Sequence, residues 1–161
     1  VSHLMAHALA PTGAVFALLS LVTGALWGKP MWGTWWVWDA RLTSSLLLLF
    51  LYIGYLFLLH AYDSPTRADK GCALLCLLSV VNLPIIYFSV RWWNTLHQGA
   101  TIRPEGASMA APMLGGLLLM TLAAWAYTAG TALRRFEQLL QAREAHTQWL
   151  GDLTNEENRF D

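Results

Sequence analysis

Polar residues withdraw from four stretches of this chain, roughly Ala8–Trp27, Leu42–Tyr62, Gly71–Val90 and Ala110–Leu133, none of which contains Asp, Glu, Lys or Arg. About 20 helical residues at ~1.5 Å rise cover a hydrocarbon core of ~30 Å, so each stretch is long enough to cross a bilayer. The pattern predicts an all-α integral membrane protein with four transmembrane helices in this chain. Between the spans lie connections of different character. Gly28–Arg41 carries Trp, Gly and Pro, Asp63–Lys70 is short and polar, and Arg91–Met109 contains the string WWNTLHQGATIRPEG. In the polar tail Phe136, Leu139, Leu140, Trp149, Leu150 and Leu153 recur at steps of three and four, which predicts an amphipathic helix lying against the membrane or a partner subunit. The chain thus divides into a bundle over 1–133, carrying a Trp-rich segment at 28–41 and a His-containing loop at 91–109, and an amphipathic tail over 134–161.

With four spans, the first and third connections share one side of the membrane, and the second shares the other side with both termini. The Trp-rich segment and the His loop are therefore expected together. Lys29, Arg41, Arg91 and Arg103 stand on that side, against Arg67, Lys70, Arg134, Arg135 and Arg143 on the other. Cationic residues collect on the cytoplasmic side, so the count favours an external Trp face and a cytoplasmic tail by one residue.

Composition agrees with a membrane protein: 56% of residues are hydrophobic and 12% charged. The first span is not read as a cleaved signal peptide, because it lacks a basic leader and runs on into a structured motif. Val1 in place of Met suggests sequence missing upstream. A formal net charge of zero and the absence of a basic run argue against nucleic acid as a partner. Cys72 and Cys76 lie four apart within one span, without the CxxC spacing of zinc or redox sites, and read as small core residues.

Five tryptophans, Trp27, Trp32, Trp35, Trp36 and Trp38, fall within twelve residues. An interfacial aromatic belt accounts for some of them, since Trp gathers at headgroup depth. It accounts poorly for such a density, whereas a partly dry indole platform suits a large planar ligand. Were the segment helical, Trp32, Trp35, Trp36 and Asp39 would share one face through their i, i+3, i+4, i+7 spacing, after Gly28 and Pro30 had turned the chain out of the first span. His97 stands on the same side. A loop histidine is commonly just solvated, but among the histidines this one is the best placed to ligate haem iron, with Lys29, Arg41, Arg91 or Arg103 to neutralise the propionates. His3, His7 and His60 are expected across the bilayer from it, and His146 on the tail surface. Asn82 and Pro84 in the third span read as packing features with locally rearranged hydrogen bonds. Asp39 would repel propionates, so its expected tasks are to accept from indole N–H groups, to pair with Arg41, or to help dock a partner.

The strings WGKPMWGTWWVWDARLTSSLLLLFLYIGY and NLPIIYFSVRWWNTLHQG closely resemble the CcmC family, the haem-handling membrane proteins of bacterial cytochrome c maturation. The Trp-rich motif alone is shared with other cytochrome c assembly proteins. The continuation Asp39-Ala40-Arg41-Leu42-Thr43 and the second string make the likeness specific, and it runs from Met5 to about Leu133. The resemblance implies haem b held at the external face of the bacterial inner membrane by Trp32, Trp35, Trp36, Trp38 and Asp39, with His97 as an axial iron ligand. It implies delivery to a periplasmic haem chaperone, within a complex containing the ATPase and membrane subunits of an ABC transporter and a small single-span protein. It assigns no enzymatic role to this chain itself. It also implies six spans, of which these would be the last four, and a second axial histidine in a connection upstream of Val1. The rival readings are a cytochrome subunit passing electrons to quinone, for which the sequence offers no histidine pair on facing spans, and a scaffold whose aromatic loop docks another protein.

Overall fold

A computed structural model describes residues 2–61, 65–93, 95–97, 99, 101–103 and 106–157, with side chains described except at 65–67, 103 and 146–157. Four helices make up the architecture: α1 (Ser2–Trp32), α2 (Ala40–Ala61), α3 (Pro65–Trp92) and α4 (Ala111–Glu157). All four are long and apolar enough to cross a membrane, and the chain is an all-α, multi-pass membrane protein.

The helices extend past most of the apolar runs that predict them. At ~1.5 Å per residue, α1 with its 31 residues is about 46 Å long and α4 with 47 residues about 70 Å. No helix end separates the last span from the tail at Arg134, so the polar segment continues the same rod. Phe136, Leu139 and Leu140 are partly buried on it, while the side chains of His146, Trp149, Leu150 and Leu153 lie outside the described residues. Pro65 opens α3 at a first-turn position where its missing N–H has no helical acceptor to lose. In the connection between α3 and α4, a hairpin of two-residue strands, β1 (Ile102–Arg103) and β2 (Gly106–Ala107), pairs antiparallel with Ile102 opposite Ala107. The helix-only reading of the sequence had no place for it.

The helices pack in the spatial order α3, α2, α1, α4. Lipid offers no hydrophobic drive for this association, so close contact and interhelical hydrogen bonds must hold it. Both are present. Ala10, Tyr55 and Cys72 form a buried cluster with Tyr52, Leu58, Leu75 and Cys76 against it, and the cysteines are free thiols within that core. Asn82 Nδ2 donates to Ser44 O at 2.9 Å, joining α3 to α2. Arg135 Nη1 donates to Thr12 Oγ1 at 2.8 Å, and the Thr12 and Thr131 hydroxyls meet at 3.3 Å, joining α4 to α1. Outside this seam the helices present Leu, Val and Phe to their surroundings, which suits a lipid environment.

Gly13 marks the closest approach of α1 to α2, since a Cβ there would stand 2.6 Å from the Tyr52 ring. Replacing Gly13 with Val should push that ring aside and cost about 1–3 kcal/mol, read as a lower unfolding temperature in detergent. Gly24→Val, where a Cβ meets nothing within 4 Å, is the control expected to leave it unchanged.

Candidate functional site

The Trp-rich segment is not one helix. α1 ends at Trp32 because Gly33 turns left-handed, φ +78°, and donates its N–H to Lys29 O at 3.0 Å, closing the helix with an αL cap. Residues 33–39 are irregular, and α2 begins at Ala40. The common helical face expected for Trp32, Trp35, Trp36 and Asp39 therefore does not exist. Gly28 and Pro30 do not turn the chain out either, for both lie inside α1. Gly28 is buried there because the Trp32 ring takes the space a Cβ would need, 3.2 Å from it.

The segment instead divides its indoles between two edge-to-face pairs and Trp35, which lies against Lys29. Trp27 and Trp32 meet edge to face at 5.2 Å, and Trp32 stands against the His97 ring at 4.7 Å and 70°. Trp36 and Trp38 form a second edge-to-face pair at 5.4 Å. Trp38 is 76% exposed, while the Trp36 indole N–H is buried without a hydrogen-bond partner among the described residues. Trp35 lies under Lys29 Nζ, 5.8 Å from the ring centroid, and the same ammonium donates to Gly33 O at 3.1 Å. Lys29 thus braces the turn that carries the indoles.

Asp39 joins the segment to His97. It is the N-cap of α2: Oδ1 accepts from Leu42 N–H at 2.8 Å, satisfying a donor that the helix start leaves free. Oδ2 lies 2.8 Å from His97 Nδ1. A carboxylate only accepts, so the ring donates from Nδ1, and the neutral imidazole then carries its lone pair on Nε2. The Asp39 side chain is 3% exposed and that of His97 19%. Thr95 Oγ1 accepts from the His97 N–H at 3.1 Å and so sets the local turn.

The two connections thus meet as span counting expects. His97 borders an open cavity of about 330 Å³ together with Trp27, Trp32, Arg41, Ser20, Thr23 and Ser45. Of the cations considered for carboxylate recognition, Arg41 lines this cavity, Lys29 is engaged beside it and Arg91 is exposed, while the Arg103 side chain lies outside the described residues. Asp39 shows neither of the two intramolecular contacts expected of it: its carboxylate is shared between the helix cap and the imidazole. The sequence does contain the signal for the cap, an Asp three residues before the apolar run at Leu42. It contains nothing local that ties position 39 to position 97. Ser20, Thr23 and Trp27 add a polar and aromatic group to this cavity, and their spacing along α1 puts them on one face.

His3, His7 and His60 gather at the other end of the bundle, as expected. His7 Nε2 lies 3.6 Å and His3 Nδ1 4.0 Å from Asp69 Oδ1, and His60 Nδ1 lies 2.9 Å from Leu56 O. His7 and His60, from facing helices, border a cavity of about 510 Å³ with Asp69 and Arg135. His7 and His60 thus border one cavity from near the ends of facing helices, an arrangement that depends on the register between α1 and α2.

The sequence pattern of the family described as "Heme exporter protein C" matches residues 1–151. The chain belongs to the Heme exporter protein C (CcmC) family. Among similar proteins, "Heme exporter protein C" of Haemophilus influenzae is 51% identical over 155 residues, covering 92% of this chain and 61% of that protein. The protein of the same description in Escherichia coli K12 is 47% identical over 158 residues, covering 95% and 62%. A "putative cytochrome c biosynthesis ccmC-like mitochondrial protein" of Marchantia polymorpha is 48% identical over 118 residues, covering 73% and 49%. The chain thus spans roughly three fifths of the length of the two bacterial relatives.

Gly33 should be the most sensitive backbone position of the site. Gly33→Ala forces a Cβ into the left-handed region at a cost of about 1–2 kcal/mol, and should lower the unfolding temperature. Gly33→Asn, which tolerates that conformation better, should recover most of the loss.

Proposed function

We propose that the protein binds haem b at the external face of the bacterial inner membrane and passes it to a periplasmic haem chaperone during cytochrome c maturation. The observation that carries this reading is the His97 imidazole, fixed through Nδ1 by a buried carboxylate and set edge-on to Trp32 beside a cavity that Arg41 also lines. The residues fit the group: Nε2 supplies a neutral nitrogen of the kind that haem iron takes, and Arg41 offers a forked donor to a propionate. Trp32, Trp35, Trp36 and Trp38 supply aromatic surface against a porphyrin. Bound haem would bring to the site an iron centre that accepts axial ligation.

A delivery site must let its cargo go. The Trp35 and Trp38 indoles are exposed, which suits transfer better than permanent retention. The external orientation is supported by the charge count of the connections. Membership of the Heme exporter protein C family supports a subunit of an ABC-type complex, in which separate ATPase and membrane subunits and a small single-span protein supply ATP hydrolysis and chaperone release, and this chain performs no catalysis. On this reading the bundle with its Trp segment and His loop is the haem-handling unit, and the inner end of α4 beyond Arg134 is cytoplasmic.

A second reading has one observation in its favour. The cavity bordered by His7 and His60 resembles the interhelical setting of a membrane cytochrome, in which haem would serve quinol oxidation. Replacing His97 with Ala decides between them. Delivery expects a shifted haem absorption spectrum and at least a tenfold loss of haem retained by the purified complex, since losing the partner of a metal ligand alone commonly costs about 10–100-fold. A cytochrome expects an unchanged spectrum, sensitivity to His60→Ala, and haem reducible by quinol.

The indoles are tested separately. Trp36→Ala and Trp38→Ala should lower haem per protein, or haem carried by the chaperone, while the amount of inserted protein stays normal. Reduced insertion with normal haem per remaining protein would make them lipid anchors instead.

A further inference from the structure

We infer that Asp39 is the positioning residue of the iron site: it holds the His97 ring in one tautomer and orientation, and its charge biases the bound haem toward the ferric state. The inference rests on the haem reading above and deepens it.

Three observations support it. The carboxylate is almost wholly enclosed, 3% exposed, so water does little to weaken its interaction with the ring. Its two oxygens face different partners, Oδ1 the Leu42 N–H of α2 at 2.8 Å and Oδ2 the His97 Nδ1 at 2.8 Å. The imidazole is therefore referenced to the end of a membrane-spanning helix and not to its own loop, where Thr95 is the nearest brace. Finally, the hydrogen bond leaves Nε2 as the only ring nitrogen able to ligate a metal.

The chemistry follows from that geometry. A ligating histidine whose far N–H is given to a carboxylate is a stronger electron donor than one facing water or an amide, and loss of such a partner commonly costs 10–100-fold in metal affinity. Electron donation stabilises the more highly charged iron, so the hydrogen bond to the axial ligand is a lever on reduction potential. A carboxylate serving merely as a helix cap would have no such effect. Of the tasks open to Asp39, the imidazole contact favours iron tuning over indole acceptance, pairing with Arg41 or docking.

The test uses the full-length protein in its complex. Asp39→Asn keeps a good N-cap and an oxygen for the ring but removes the charge. Asp39→Ser keeps the cap, since Ser caps about as well as Asp, but is too short to reach the ring. For Asp39→Asn we expect at least a tenfold weaker preference for ferric over ferrous haem, read as a potential about 59 mV higher in an anaerobic redox titration. For Asp39→Ser we expect at least a tenfold loss of haem retention and a heterogeneous ferric electron paramagnetic resonance signal, with an unchanged unfolding temperature. A parental potential in Asp39→Asn, or parental retention in Asp39→Ser, would overturn the inference, and both together would leave Asp39 a helix cap. His97→Ala keeps the two readings apart. A parental haem spectrum in that variant removes the axial assignment itself, whereas a changed spectrum there, with a parental potential in Asp39→Asn, removes only the role of Asp39.

Discussion

One carboxylate ties the Trp-bearing end of this molecule together. Asp39 ends an irregular Trp-rich segment, begins α2 and receives the ring of a histidine 58 positions further along the chain. Each task alone is ordinary, since helices commonly start on an Asp and buried imidazoles commonly meet a carboxylate. Their coincidence on a single side chain makes the Trp-rich segment and the His97 connection one unit. The Trp32 indole, fixed at the end of α1, then has a defined ring to stand against, and the cavity bordered by Arg41 and His97 has defined walls.

The membrane makes such an arrangement necessary. Helix packing in lipid comes from close contact and interhelical hydrogen bonds, and this bundle spends its small and polar residues on the seam through Gly13, Thr12, Asn82 and Thr131. The outward Leu, Val and Phe surfaces cannot order a loop. A site at the water boundary must therefore be organised by its own polar contacts and indole edges, and that is how this one is built: an αL turn at Gly33, a lysine bracing it, a threonine turn at Thr95 and the carboxylate between them.

Much of this was legible in the sequence, for different reasons in different places. Spans announce themselves because a bilayer demands long uncharged runs, and their number alone puts the Trp segment and His97 on one side. The family likeness rests on strings long enough to be specific. The internal form of the Trp segment was misread because i, i+3, i+4 spacing suggests a helix wherever bulky residues recur, while one glycine with positive φ suffices to stop it. The His97–Asp39 contact and the cavity shared by His7 and His60 were invisible for another reason. Both depend on the rotation and register of helices about one another, which periodicity within a single element does not encode.

The continuity of α4 has a geometric consequence. A rod of about 70 Å is more than twice a hydrocarbon core of ~30 Å, so α4, held laterally chiefly by α1 and joined at its start to the connection that bears His97, must run well past the hydrocarbon on at least one side. It is clasped to α1 by Thr12, Thr131 and Arg135 and, further along, by the Phe16 and Tyr127 rings, 6.2 Å apart. The stretch from Arg134 to Glu157, about 36 Å at ~1.5 Å per residue, leaves the bundle as part of the same helix that returns to the His97 connection.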